Sequence, residues 1–406
     1  DFCLSRGLGD VYKRQQSGGP TAVINASLQG IIEEAFKNPL VTNVYGALNG
    51  IDGILNHQII DFKYETKENL SLLKTTPSSI LGSVRFKLED YQKNDEIYKT
   101  IVSIFTKLNI KFFFYIGGND SMDTCYKISQ YFKAIHFECM VIGVPKTIDN
   151  DLVHTDHTPG YGSSIKYIAT TIAEIYQDIE CYKKGKVTIV EIMGRDAGWL
   201  TAGTKLASLS NNGPDLIYLP EVPFDIETFL KKVKHIYDKK GHALIAISEG
   251  IKDKEGKYIL TYRLFNNNDD FGHLQLGGVG QVIAETINRE LKLPIRSIEL
   301  NIPQRCASHI SSLTDIEEAY NCGKKALQFA TLNHTGKMIA IKRISHNPYQ
   351  ITYEMVDLAN VANFVKKVPQ NYITNDGCNI TKDFIEYALP LIQKEPLILS
   401  LIHISE

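Results

Sequence analysis

Residues 140–151 read MVIGVPKTIDND, an apolar run, Met140–Val144, that passes without a break into the polar turn Pro145–Asp151. A short, nearly continuous apolar run suits a strand buried on both faces of a parallel sheet. Lys111–Ile116 (KFFFYI), Val187–Ile192 (VTIVEI) and Ala243–Ser248 (ALIAIS) share that design. Between such runs lie helical patterns. One follows Pro20, with Ile24, Leu28, Ile31, Ile32 and Ala35 on one side. Another spans Ser164–Asp178, with Ile165, Ile168, Ile172, Ile175 and Ile179 at three- and four-residue steps. Strands alternating with amphipathic helices predict an α/β fold of doubly wound, mostly parallel sheets. A length of 406 residues allows two such domains at roughly 100–200 residues each.

The other three strands likewise stop at polar segments, and these bear glycine. Ile116 runs into Gly117-Gly118-Asn119-Asp120-Ser121, Ile192 into Met193-Gly194-Arg195, and Ile247 into Ser248-Glu249-Gly250. Open α/β sheets bind ligands beyond the carboxyl ends of their strands, so these segments predict one convergent site.

The bulk composition narrows what that site can take. With 43% hydrophobic and 22% charged residues the chain is ordinary globular protein. A formal net charge of -2 supplies no global positive field for nucleic acid or an anionic membrane. Any anionic small substrate must be met by local groups. The seven cysteines, at 3, 125, 139, 181, 306, 322 and 378, form no CxxC pair and read as reduced thiols of a cytoplasmic protein. No run of 18 apolar residues suggests a membrane span. The ends, residues 1–15 (DFCLSRGLGDVYKRQ) and 399–406 (LSLIHISE), sit oddly against their neighbours and read as non-native additions. An apolar strand is expected just ahead of Gln16, where VYKRQ stands.

Ser17-Gly18-Gly19-Pro20-Thr21 leads toward a predicted helix. Glycines let backbone N–H groups approach a phosphate, and a helix N-terminus favours negative charge. Alone this start is weak evidence, and an ordinary tight turn is the stronger reading of the same residues. No GxxxxGK[ST] occurs, which disfavours a P-loop fold. In GGNDS a carboxylate stands where a hydrated metal ion could sit, although Asp120 or Ser121 could instead cap a helix. In PKTIDND two carboxylates, Asp149 and Asp151, allow one base and one group beside a metal, with Lys146 near to neutralise phosphoryl charge. The competing reading is an Asx-rich turn.

Taken together, GGNDS, PKTIDND, MGRDAGWLT and SEG, in this order, resemble the phosphofructokinase family, and more closely its pyrophosphate-dependent branch, from Gln16 to about Gln350. The resemblance implies two Rossmann-like domains with the site in the cleft between them. The expected division is 16–160 with about 305–355 for the phosphoryl donor, and 161–304 with about 356–398 for the sugar phosphate. It implies transfer from pyrophosphate to fructose 6-phosphate with Mg2+, in a cytoplasmic homodimer or homotetramer. Asp149 is then the base, assisted by Lys146 and Asp120. Gly18, Gly19, Gly118, Ser121 and Lys146 would hold the donor. Thr147, Asp149, Met193, Gly194, Arg195, Glu249, Arg296 and Arg305 would hold the sugar phosphate, and Asn119 and Asp151 the metal. Lys186 would match a basic residue donated across a subunit interface. There are departures: Cys306 and Ala307 replace glycines, Ile302 replaces a histidine or tyrosine, and Asn119 replaces a metal-binding aspartate.

The donor expectation rests on Asp120 and Lys146, where ATP-using members carry glycine in GGDGS and PGTIDND. An acid there opposes a further phosphate: two unit charges about 4 Å apart repel by roughly 4 kcal/mol at an effective dielectric near 20. The alternatives are an ATP-dependent member of the same fold, a lipid- or NAD-kinase relative, which lacks the later motifs, and a phosphate-sensing subunit, which Asp149 counts against. Asn266–Asp270 reads as an exposed loop, and Val356–Ile398 shows helical patterns with no nameable chemistry.

Overall fold

A computed structural model describes residues 19–84, 86–262 and 278–395. Gly18, the terminal stretches and the 266–270 loop therefore lie outside the described residues. After helix α1 (Ile24–Lys37), strands β1 (Tyr45–Ala47) and β2 (Ile59–Asp61) form a small antiparallel ladder around α2 (Ile51–Leu55), and α3 (Lys67–Leu72) and α4 (Glu96–Lys107) follow. Then come β3 (Phe112–Gly117), α5 (Asn119–Ala134), β4 (Met140–Pro145), α6 (Tyr161–Glu180), β5 (Val187–Ile192) and α7 (Trp199–Gly203). The chain continues through β6 (Leu216–Tyr218), α8 (Ile226–Lys240), β7 (Ala243–Ser248), α9 (Val279–Leu291), β8 (Ile295–Glu299) and α10 (Pro303–Cys306). It closes with α11 (Leu313–Ala330), the hairpin β9 (Lys337–His346) and β10 (Tyr349–Asp357), and α12 (Lys382–Ala388).

Two four-stranded sheets organise these elements, in the orders β10-β9-β4-β3 and β6-β7-β5-β8. The second is parallel throughout; in the first only the β9/β10 pair is antiparallel. Every residue of β5 and β7 is buried, as parallel strands covered on both faces must be. On the first sheet, α4 and α5 pack one face and α1 and α11 the other. On the second, α6 and the C-terminal residues Val368–Leu391 cover one face, and α8 and α9 the other. Helices α1 and α11 cross so closely that a Cβ on Gly30 would lie 2.0 Å from the Tyr320 carbonyl oxygen, and one on Gly323 1.9 Å from that of Ser27. Among the described residues β3 is a sheet edge, and an apolar cavity of about 400 Å³ runs beside it, lined by Leu28, Ile31 and Ile32 of α1 and by Phe112 and Phe114.

The four expected strands appear within one residue of their predicted bounds. Two helix starts differ. α1 begins at Ile24, not at Pro20, because Thr21 Oγ1 accepts the Val23 N–H at 3.3 Å and bends the chain first. α6 begins at Tyr161, ahead of Ser164, because Asp315 reaches in from α11 and accepts the N–H groups of Gly160 and Ser163, both at 2.9 Å.

Candidate active site

The polar segments at the carboxyl ends of β3, β4, β5 and β7 converge as expected. Lys146 leaves the end of β4 with its N–H bonded to the Gly117 carbonyl at 3.0 Å, locking the β4 turn to the β3 turn. Its side chain is only 2% exposed and its ammonium donates to the Gly19 carbonyl at 2.8 Å. Burial drives that ammonium down to about 8, a fall that Asp149 partly offsets. Arg305, carried on the single turn of α10, lies so near that a Cβ on Gly19 would sit 2.8 Å from its Nη1. A side chain at 19 would therefore press on the guanidinium, which would have to shift.

The base turn is tight. The Asp149 N–H donates to Thr147 Oγ1 at 3.1 Å, and that hydroxyl donates to Asp149 Oδ2 at 3.4 Å. Gly118 stands against this turn; a Cβ there would meet the Thr147 Cβ at 3.6 Å. Burial raises the Asp149 carboxyl above the ordinary range, while Lys146, Thr147, Arg195 and Arg305 pull it back. Asn150 adopts a left-handed φ of 52°, which asparagine tolerates, and so redirects the chain between the two acids. Asp151 Oδ1 is sealed from solvent and has no partner among the described residues. Burial first, and then Asp149, push the Asp151 carboxyl up to about 7.

On the opposite wall the Gly194 N–H donates to Glu249 Oε1 at 3.2 Å, and Ser248 Oγ donates to the Gly194 carbonyl at 2.5 Å. A Cβ on Gly250 would lie 1.9 Å from the Arg195 carbonyl oxygen, so the β5 and β7 turns are in direct backbone contact. Gln304 on α10 accepts the Met193 N–H at 3.1 Å. Burial, then Asp149, hold the Glu249 carboxyl up at about 7, against the pull of Gly194 and Arg195. Asp149, Lys146, Arg195, Arg305 and Glu249 are thus within electrostatic reach of one another.

Four expected residues stand differently. Asp120 is exposed on the first turn of α5, close enough to raise Asp151; Ser121 beside it is buried. Asn119, expected at a metal, spends both ends of its amide on backbone: Nδ2 donates to Phe364 O at 2.5 Å and Oδ1 accepts the Asn363 N–H at 2.8 Å. Arg296 faces solvent on β8 opposite Thr188, with Nη1 3.3 Å from Asp178 Oδ2, and is not brought to the cluster within one chain. Exposed Lys186 precedes β5, at the end away from the site, roughly 20 Å along a six-residue strand.

The structure adds groups that the motifs did not reveal. Lys366 donates from Nζ to Asn150 Oδ1 at 3.1 Å and to the carbonyls of Thr155 and Asp156 at 3.1 and 2.9 Å. Burial lowers its ammonium to about 8. His157, 1% exposed, bridges Asp156 Oδ1 at 2.7 Å and Glu318 Oε2 at 2.6 Å, and Arg343 joins Asp156 at 2.8 Å. Burial alone would depress the imidazole, but Glu318 and Asp156 outweigh it and hold it at about 9. Lysine and histidine outside a motif read as surface, and only their partners distinguish these two.

A cluster of two arginines, a buried lysine and a raised carboxylate, at the carboxyl edges of two doubly wound sheets, has close counterparts. A protein-family model described as phosphofructokinase matches residues 15–330. The pyrophosphate–fructose 6-phosphate 1-phosphotransferases of Halomonas elongata and Methylococcus capsulatus are 41% and 39% identical, each over 94% of this chain and 91% of their own. The crystal structure of pyrophosphate-dependent phosphofructokinase from Nitrosospira multiformis superposes with a TM-score of 0.85 at 40% identity, over 95% of this chain and 93% of its own. With motif order, sheet topology and near end-to-end similarity in agreement, the chain belongs to the phosphofructokinase family.

Proposed function

We propose that this chain transfers a phosphoryl group between pyrophosphate and fructose 6-phosphate, forming fructose 1,6-bisphosphate and phosphate, in either direction. The observation that carries the reading is the buried Lys146 ammonium at the Gly19 carbonyl, with the acid Asp120 on the first turn of the neighbouring helix. Members of the family that use ATP have glycine at both places. Here a lysine and an aspartate stand at those two places, which suits a short donor. The relatives that match most of the chain carry names consistent with that donor.

Asp149 removes the proton of the sugar's 1-hydroxyl. The freed oxygen attacks the terminal phosphorus of pyrophosphate in line, the bridging P–O bond breaks, and phosphate departs. A carboxyl raised by burial is better matched to that proton than an ordinary one. Lys146 stabilises the charge on the moving phosphoryl group, the Gly19 and Gly118 backbones admit the donor closely, and Arg305 serves the sugar phosphate. Arg195, Glu249, Met193, Gly194 and Thr147 orient the sugar phosphate, arginine through its bidentate fork. Asp151 fits magnesium: its sealed oxygen, without a partner among the described residues, is a hard donor that would hold the ion, which would supply charge neutralisation at the phosphates. Among the described residues no cluster of three or more His, Cys, Asp or Glu is placed to hold an ion.

Assembly as a homodimer or homotetramer would give Arg296 and Lys186, exposed away from the cluster, a partner's site to serve. The reaction belongs to glycolysis in the cytoplasm. Among the described residues no helix is long and apolar enough to cross a membrane. The deciding experiment assays fructose 6-phosphate with pyrophosphate and with ATP in parallel, at several magnesium concentrations. Turnover with pyrophosphate alone is expected; turnover with ATP alone refutes the donor assignment.

A further inference from the structure

Residues 363–368 form no strand or helix, so their backbone polar groups need partners elsewhere. Those partners are the three loops of the site. At one end the Asn363 N–H and the Phe364 carbonyl clasp the Asn119 amide at the start of α5, and Asn363 Nδ2 donates to Asp123 Oδ1 at 2.9 Å. In the middle the Lys366 N–H donates to the Asp151 carbonyl at 2.7 Å, while its own carbonyl accepts Trp199 Nε1 at 2.8 Å. At the other end the Val368 N–H donates to Glu221 Oε1 at 2.9 Å, and the same carboxylate accepts the Gly198 N–H at 2.9 Å. One extended strap therefore holds GGNDS, PKTIDND and MGRDAGW together.

Lys366 is its centre. The three protons of its ammonium meet three acceptors, all on the segment that follows Asp149, and the charge sits 5.1 Å from the centroid of the Trp199 ring. Burying an ammonium is costly unless it is fully bonded. A strap that served only to fill space would do better with an apolar side chain. Retaining the charge here ties the Asn150 amide of the base turn, and the Thr155 and Asp156 carbonyls beyond it, to an indole beside the sugar turn, a span that packing alone would leave loose.

We propose that Lys366 is a positioning residue for phosphoryl transfer: through this strap it sets the distance between the Asp149–Asp151 turn and the Gly194–Trp199 loop, while Asn119 ties the donor helix to the same strap. The inference rests on the phosphotransfer reading above. Because the strap touches the loops and not the substrates, its loss disturbs alignment more than binding. A misplacement of about 1 Å can cost on the order of 100-fold in rate. Lys366→Met should therefore lower kcat by roughly 100-fold and leave both KM values within about three-fold. Asn119→Asp supplies a better magnesium ligand but cannot donate to the Phe364 carbonyl, and should lower kcat about ten-fold.

The experiment measures kcat and both KM values for wild type, Lys366→Met, Asn119→Asp and Asn363→Ala, with thermal melts to establish folding. Hydrogen exchange is followed at the amides of 150–156 and 198–199. Faster exchange in those segments alone, with the kcat loss, supports the strap. A folded Lys366→Met enzyme with kcat within about two-fold of wild type overturns it, as does an Asn119→Asp variant with undiminished kcat. If Lys366→Met does not fold, Asn119→Asp and Asn363→Ala decide by the same criteria. If wild type uses ATP and not pyrophosphate, the donor reading fails and the comparison proceeds with ATP. If it uses neither, the exchange pattern of the variants alone decides.

Discussion

Replacing Lys146 by methionine keeps the stem's volume and removes one buried charge. Burial lowers this ammonium from its ordinary 10.5 to about 8. Between those values the unfolded chain holds a proton that the folded chain has released, so stability rises with pH through that window. From pH 7 to 9.5 this group alone adds about 2 kcal/mol to the wild type, and methionine adds nothing. At pH 7 the substitution relieves about 3 kcal/mol of desolvation. It also leaves the Gly19 carbonyl unpaired, at about 1–3 kcal/mol, so the two proteins should be nearly equally stable there. Lys366, lowered by burial in the same way, is present in both proteins and cancels in the difference. Urea unfolding of each at pH 7 and 9.5 measures the effect. The wild type should gain about 2 kcal/mol more than the variant across that interval. Equal pH dependence would mean that Lys146 is not a buried charge in solution, and the donor argument built on it would fail. In parallel, pyrophosphate turnover by Lys146→Met should fall by roughly 10- to 100-fold, the loss of one charge-assisted contact to the moving phosphoryl group.

Asp149→Ser should lower turnover by about two to four powers of ten while calorimetry still detects fructose 6-phosphate binding; comparable turnover refutes the base assignment. The pair Asp120→Gly with Lys146→Gly opens the donor volume, so the ratio of ATP to pyrophosphate turnover should rise at least about ten-fold if charge and bulk set the choice, and stay flat if they do not. His157→Ala leaves the buried Glu318 carboxylate without its cation, while half-buried Asp156 keeps Arg343, and should cost about 3 kcal/mol at pH 7 in guanidinium unfolding. The folded imidazole is raised to about 9, so its contribution is full below pH 6.5 and fades as pH climbs through 9. The gap between His157→Ala and wild type should therefore narrow at high pH; a constant gap would assign the loss to packing.

Much of this architecture was legible along the chain. Buried parallel strands need unbroken apolar runs, and the four such runs became β3, β4, β5 and β7. Polar residues at their carboxyl ends marked the loops that converge, because open α/β sheets gather their loops there. The start of α6 was misjudged because its cap comes from Asp315, well over a hundred residues away. Arg296 carries the right chemistry in the right motif, yet within one chain it pairs with Asp178 on an exposed flank.

Sequence by itself thus determined the layered α/β plan and the family, since these follow from local periodicity and from side-chain type at fixed spacing. Only the tertiary structure decided which polar residues are buried and by whom they are held. Asn119 faces a backbone strap, and Lys366 and His157 are interior cations. The reason is physical: the free energy of a charge or an amide depends on partners and solvent contributed by segments far away in the chain, and spacing along one segment carries no record of them.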